Sequence, residues 1–147
     1  MTQLSRSHVR RSALSHFRAR EYYEAQRLFS ELHRQGDTSP VVSSYLGLLA
    51  GLVEGRKQEA VQLCRRALAV GILDPELYVN LARAQMLSGR REDAVATLRR
   101  GLGHTPGHAE MTALIDRLQP RDDGLLPGLG RAHPVNRVIG RWRRRSA

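Results

Sequence analysis

An acidic residue followed by alanine recurs along the chain at nearly constant spacing. The pairs Glu24-Ala25, Glu59-Ala60 and Asp93-Ala94 are separated by 35 and 34 residues. Each pair begins a stretch whose apolar residues recur three and four positions apart, as on a helix that is buried along one side. A period of this length indicates a repeat architecture, in which each unit needs its neighbours to bury its apolar face.

A second helical stretch precedes each of these, and the breaks between them carry turn residues. Gly55 and Gly89 separate the two helices of the second and third pairs, and glycine readily adopts the left-handed conformation that ends a helix. Proline begins a helix but cannot continue one, and it stands near the junctions between units at Pro40, Pro75 and Pro106. The sequence therefore predicts consecutive helical hairpins.

This arrangement resembles the tetratricopeptide repeat, a helix–turn–helix unit of 34 residues. The first unit departs from the family pattern, because Arg20 replaces the turn glycine. The resemblance implies an all-α fold in which antiparallel helix–turn–helix repeats stack as a short right-handed superhelix, an α-solenoid. The third unit matches the spacing of the family most fully, through Tyr78, Leu81, Ala82, Gly89, Ala94, Leu98, Gly101, Leu102 and Pro106.

We predict one tetratricopeptide repeat domain followed by a tail. A terminal helix is expected to close the exposed end of the stack, since its apolar residues lie on one side. The tail is basic and rich in Gly, Pro and Arg. The domain spans residues 1–120, with repeats at about 6–38, 40–73 and 75–106 and the capping helix at 107–119, and the tail spans 121–147.

Charge and cysteine content restrict the class of function. The formal charge is +10, but residues 21–120 carry 12 basic and 12 acidic side chains, so the excess lies at the two ends. A near-neutral middle argues against a nucleic-acid-binding domain.

Cys64 is the only cysteine, which excludes an internal disulfide. With no signal peptide in the pattern, we expect a cytoplasmic protein; residues 1–20 have the composition of a transit peptide, but the repeat pattern begins there and favours a first helix.

No set of residues has the spacing of a catalytic or metal site. His104 and His108 lie four apart, which suits a metal only on a helix, and Pro106 and Gly107 stand between them. Cys64 falls at a core position of the second repeat, where a thiol is inert. We therefore expect a binding protein and not an enzyme, without catalytic residues, metal, cofactor or small-molecule substrate.

The resemblance implies a binding groove. In the family, the first helix of each repeat lines a concave surface that holds extended peptides or partner helices; the alternative for each side chain is a solvated helix face. One branch of the family grips the C-terminal carboxylate of a peptide, but Tyr45 and Leu48 stand where that clamp has polar groups, so we do not expect a chaperone C-terminus. The implied groove residues are Arg10, Arg11, Phe17, Tyr45, Leu48, Val79, Asn80, Arg83 and Met86, whose Asn and Arg side chains suit carboxylates.

The tail contains a short amphipathic pattern at residues 134–145. One interpretation is a basic segment without fixed structure. The other is a helix that forms on docking to an acidic protein, an anionic membrane or nucleic acid, in that order of preference, or back onto the groove of the chain itself. The expected contact residues are Val138, Ile139, Trp142, Arg143, Arg144 and Arg145.

Two functions follow from these patterns. The leading hypothesis is a cytoplasmic adaptor that binds a peptide or helix of a partner protein in the groove, with the tail as a second contact. The alternative is a peripheral binder of anionic surfaces, either membrane or RNA, that acts through the basic tail with its single tryptophan.

Overall fold

The computed structural model describes residues 3–119, which form seven α-helices and no strand. None of these helices is both long enough and apolar enough to cross a bilayer. In chain order they are α1 (Gln3–Arg18), α2 (Tyr22–Arg34), α3 (Pro40–Val53), α4 (Lys57–Ala69), α5 (Pro75–Leu87), α6 (Arg91–His104) and α7 (Ala109–Leu118).

The helices pack as three hairpins closed by a single helix. Within the hairpins, α1 packs on α2, α3 on α4, and α5 on α6; the short turns make the two helices of each pair antiparallel. Successive hairpins meet through α2 on α3, α4 on α5 and α3 on α5, and α7 covers α6. The predicted all-α stack of helical repeats is confirmed.

Side-chain caps and prolines fix where α3 and α5 begin. The Ser39 hydroxyl accepts a hydrogen bond from the backbone N–H of Val42 at 3.5 Å, and the Asp74 carboxylate accepts one from that of Glu76 at 2.9 Å. Each cap satisfies a backbone N–H group that has no partner within the helix. A proline follows each cap at the first helical position, where its missing N–H costs nothing.

The turns inside the three hairpins share one backbone conformation. Gly55 and Gly89 have positive φ angles of 71° and 75°, and Arg20 occupies the same place in the first hairpin with a φ of 64°. A residue with a Cβ atom is strained there by about 1–2 kcal/mol. Arg20, which departs from the family pattern in the sequence, thus has a backbone conformation that favours glycine.

Two glycines inside helices allow close packing. A Cβ atom on Gly47 would lie 2.6 Å from the Leu63 Cβ atom of α4. One on Gly101 would lie 2.8 Å from the Met111 Sδ atom of α7 and 2.9 Å from the Tyr78 Cβ atom. Only glycine therefore permits these separations of α3 from α4 and of α6 from α7.

Aromatic side chains and the single thiol lie in the core. The Tyr45 ring stacks on Phe29 with centroids 4.7 Å apart and meets the edge of Phe17 at 5.0 Å, both favourable arrangements. Cys64 is fully buried, and its thiol donates to the Ser44 carbonyl oxygen at 3.3 Å. Burial raises the pKa of the Cys64 thiol to about 12, so it remains protonated at neutral pH.

Candidate functional site: an arginine-edged groove

A cavity of about 590 Å³ opens between the first helices of the hairpins and α7. Its walls come from the C-terminal halves of α1, α3, α5 and α7, with one residue from the first turn and one from α2. We call this cavity the groove. It is lined by Phe17, Arg18, Arg20, Tyr22, Leu48, Leu52, Arg83, Met86, Leu87, Leu114 and Arg117.

The floor of the groove is apolar because helical spacing directs it there. Leu48 and Leu52 lie one turn apart on α3, as do Arg83 and Leu87 on α5 with Met86 beside them. Leu48 is almost fully buried, whereas Leu52, Met86 and Leu87 are only partly covered. When a ligand covers apolar surface that is left partly open in a concave site, removal of that surface from water stabilises the complex.

The rim of the groove is formed by arginines. Arg18, Arg20 and Arg117 are exposed, and none makes an ion pair with another described residue. Arg83 differs, because it pairs with Glu110 of α7 and its guanidinium lies 5.3 Å from the centre of the Phe17 ring. Both contacts hold the Arg83 side chain in place. The rim thus combines one cation held by an ion pair with three that have no ion-pair partner among the described residues, although Arg18 interacts electrostatically with Glu76.

Beside the groove lies a partly buried pair of acidic groups. The Tyr45 hydroxyl hydrogen-bonds the Glu76 carboxylate. Burial, together with the negative charge of Asp74, raises the pKa of Glu76, although Tyr45 and Arg18 act in the opposite direction. Burial and the neighbouring Glu76 raise the pKa of Tyr45, so its hydroxyl remains protonated. This pair is not among the lining residues, which include no acid.

Comparison with protein families assigns these helices. The family model described as "Tetratricopeptide repeat" matches residues 52–118. The helices from the end of α3 to α7 are therefore similar to tetratricopeptide repeats. The resemblance inferred from the sequence is therefore confirmed.

Solved structures show the same repeat fold. The tetratricopeptide repeat domain of Arabidopsis OM64 matches with a TM-score of 0.60 and 16% identity, over 78% of this chain and 94% of that one. The first such domain of Spaghetti (RPAP3), solved with the HSP90 peptide SRMEEVD, gives 0.62 and 16%, over 80% and 95%. PcrH from Pseudomonas aeruginosa gives 0.59 and 15%, over 80% and 89%. A search of curated proteins gives no match.

The helical domain brings only part of the predicted groove set together. Phe17, Leu48, Arg83 and Met86 line the groove. The four residues come from three different helices, α1, α3 and α5. Their meeting therefore depends on the stacking of the hairpins and not on one helix alone.

Three other predicted groove residues lie in the core instead. Tyr45, Val79 and Asn80 are 5%, 3% and 0% exposed and do not line the groove. Asn80 lies inside because its amide Nδ2 donates to the Ser44 hydroxyl at 3.0 Å, between α5 and α3. The prediction that Asn80 faces a ligand was therefore wrong, since the amide serves the contact between two repeats.

The two N-terminal arginines of the predicted set also lie elsewhere. Arg10 and Arg11 line a separate depression beside the α2–α3 turn. Arg10 pairs with Asp37 at 2.5 Å and contacts the Ser39 hydroxyl at 3.3 Å. Although partial burial raises it, hydrogen bonds from Ser39 and Arg10 bring the pKa of Asp37 below its ordinary value. Arg10 thus supports the join between the first two repeats, and the prediction that it shares one groove with Arg83 was wrong.

Several lining residues escaped the sequence analysis. Leu52 and Leu87 follow Leu48 and Arg83 by one helical turn, so the spacing of predicted residues offered a signal for them. No such signal marked the rest, because they lie at the end of α1, in the turn after it, in α2 or in the terminal helix. The full set is Arg18, Arg20, Tyr22, Leu52, Leu87, Leu114 and Arg117.

The remaining predicted features concern the histidines and the tail. His104 ends α6, and His108 precedes α7, where its Nδ1 atom accepts from the backbone N–H of Met111 at 3.4 Å. Among residues 3–119, no group of three His, Cys, Asp or Glu side chains is arranged to hold a metal. The predicted helix at 134–145 and its contact residues lie outside the described residues.

Proposed function

We propose that this chain is a protein-interaction scaffold that binds a segment of a partner protein in the groove. The observation that carries the proposal is an open apolar floor enclosed by arginines, three of which lack an ion-pair partner among the described residues. Ligand sites in proteins commonly enclose about 300–1,000 Å³ and combine an apolar lining with a few polar groups. The groove, at about 590 Å³, falls within that range.

Relatives of the same fold support a peptide as the ligand. The first domain of Spaghetti (RPAP3) was solved with an HSP90 peptide, and the second domain of human RPAP3 with the HSP70 peptide SGPTIEEVD. The composition of the groove favours binding over catalysis, because its lining consists of apolar side chains, arginines and one tyrosine. Such a set offers neither a nucleophile nor a general base near neutral pH.

Selection from a displayed library of random peptides, of about 16 residues each, tests this function. The full chain is the bait, and Met86→Lys places a charge on the floor of the groove. Val95→Lys is the matched control, because Val95 is also partly covered but lies on α6 outside the groove. Circular dichroism verifies that both variants remain helical.

We expect peptides to be enriched on the unaltered chain and on Val95→Lys but not on Met86→Lys. Failure to enrich any peptide on the unaltered chain would argue against a scaffold of this kind. Enriched peptides that bind Met86→Lys as tightly as the unaltered chain would place the binding surface elsewhere.

A further inference from the structure

We propose that the segment bound in the groove is acidic and internal: an apolar anchor with Asp or Glu side chains on both sides. The inference rests on the proposed function and specifies the class of ligand. It concerns a partner polypeptide whose free C-terminus takes no part in binding.

The charge of the lining is of one sign. Four of the lining side chains are arginines and none is acidic. Of these arginines only Arg83 forms an ion pair among the described residues, with Glu110, and Arg18 interacts electrostatically with Glu76; both acids are outside the lining. A basic segment entering the groove would meet like charges, whereas carboxylates would pair with guanidinium groups through charge-assisted hydrogen bonds.

The positions of the arginines indicate several carboxylates and not one. Arg18 ends α1, Arg20 lies in the turn that follows, Arg83 is in α5, and Arg117 is near the end of α7. A single carboxylate binds one guanidinium in a bidentate pair. The one carboxylate at a chain terminus cannot by itself serve cations that come from three helices and a turn, so the bound segment must carry acidic side chains.

The burial of two predicted groove residues also argues against a terminal carboxylate as the group that is bound. Asn80, the amide predicted to face the ligand, is fully buried and donates to Ser44. Tyr45 is also buried, with its hydroxyl bonded to Glu76. Neither side chain is available to hold a terminal carboxylate deep in the groove, so carboxylates are left to the rim while apolar side chains occupy the floor.

Arg20 adds independent support. The equivalent turn positions of the other hairpins are Gly55 and Gly89, which adopt positive φ without strain. Arg20 adopts the same conformation, and its side chain lines the groove. Non-glycine residues in this region are enriched at functional sites. The strained arginine supplies a rim cation that a glycine would not.

The tail of the chain is a poor occupant of this groove. Residues 121–147 contain seven arginines and two aspartates, so the tail carries the same sign of charge as the rim. Repulsion between like charges disfavours its insertion. The groove is therefore left to a partner of opposite charge.

A second selection with the same peptide library tests the class of ligand. The bait variant is Arg18→Ser/Arg20→Ser/Arg117→Ser, which removes the three unpaired rim cations. The control is Arg65→Ser/Arg66→Ser/Arg99→Ser, which removes the same charge from exposed residues of α4 and α6 that do not line the groove. Selected peptides are then synthesised with amidated and with free C-termini, and their affinities are measured by fluorescence anisotropy.

We expect Asp and Glu to be enriched on both sides of apolar residues with the unaltered chain and the control, and the acidic preference to disappear with the rim variant. The rim variant should bind a selected peptide with an affinity lower by on the order of tenfold, and added salt should reduce the difference in affinity between the rim variant and the unaltered chain. Amidation should leave affinity unchanged.

Two outcomes would overturn the inference while leaving the scaffold function in place. One is an enriched set without acidic preference whose binding still depends on Met86; the other is a loss of affinity of tenfold or more on amidation. If no peptide is enriched, the proposed function itself fails. The two failures are therefore distinguishable.

Discussion

The Asn80 amide donates a hydrogen bond to the Ser44 hydroxyl at 3.0 Å, and both residues are completely buried. Ser44 in turn donates to the Val41 carbonyl oxygen at 2.8 Å. This chain of hydrogen bonds crosses from α5 to α3 and joins the first helices of adjacent repeats. It fixes one hairpin against the next through directional contacts that apolar packing alone does not supply.

Removal of the Ser44 hydroxyl should destabilise the protein without affecting ligand binding. Ser44→Ala leaves the Asn80 Nδ2 group without its acceptor, and a buried donor without a partner costs about 1–3 kcal/mol. Urea unfolding of Ser44→Ala, Asn80→Ala and the double variant measures the coupling, which we expect to be about 1 kcal/mol. Strictly additive changes in the free energy of unfolding would contradict a direct hydrogen bond. A weakened peptide affinity in Asn80→Ala would show that Asn80 contributes to ligand binding.

The close approach of α3 and α4 should make Gly47 intolerant of a larger residue. A Cβ atom there would lie 2.6 Å from Leu63 Cβ, so Gly47→Ala should reduce the free energy of unfolding by about 1–3 kcal/mol through overpacking. Gly103→Ala is the matched control, since a Cβ on Gly103 meets nothing within 4 Å. It should stabilise α6 by up to about 1 kcal/mol. Equal effects of the two substitutions in thermal denaturation would refute the packing argument.

Arg20 should show opposite effects on stability and on binding. Arg20→Gly relieves the strain of its positive φ and should stabilise the protein by about 1 kcal/mol. The same change removes a rim cation and should weaken acidic peptides. Gly89→Ala, at the equivalent turn of the third hairpin, should destabilise by a similar amount. Denaturation and anisotropy on the same samples check both effects; an Arg20→Gly variant that unfolds more easily would exclude strain at this turn.

The Arg10–Asp37 pair should contribute to acid sensitivity. The folded-state pKa of Asp37 lies below its ordinary value of 3.8. The stabilisation is therefore fully present well above pH 3.8 and is lost as the pH falls through the folded-state pKa. Because Arg10 is 40% exposed, we expect no more than about 1 kcal/mol. Asp37→Asn should lower stability at neutral pH and flatten its pH dependence below about pH 5; unchanged acid unfolding would show that the pair contributes nothing.

The fold was largely predictable from the sequence because its signals are local. Pro40 and Pro75 begin helices, Gly55 and Gly89 end hairpin turns with positive φ, and α7 lies within the predicted cap. Each of these features depends on the backbone preferences of a few consecutive residues.

The site was less predictable because it depends on how the hairpins tilt against one another. Helical spacing places Asn80 and Arg83 on neighbouring positions of α5, yet one lies under the adjacent helix and the other opens to the groove. Arg10 pairs with a residue 27 positions away in the sequence, which no helical period specifies. Arg18 and Arg20 lie at the end of α1 and in the turn that follows, and it is the path of α1 that brings them to the rim.

The burial of Cys64 has a practical consequence. Since this is the only sulfhydryl in the chain and it is fully enclosed, reagents that modify thiols should reach it only when the stack opens. The rate at which Cys64 is labelled therefore measures how often the whole stack opens, and this measurement needs no substitution. A second cysteine introduced at the rim would be labelled selectively with a fluorophore, because Cys64 would remain unlabelled.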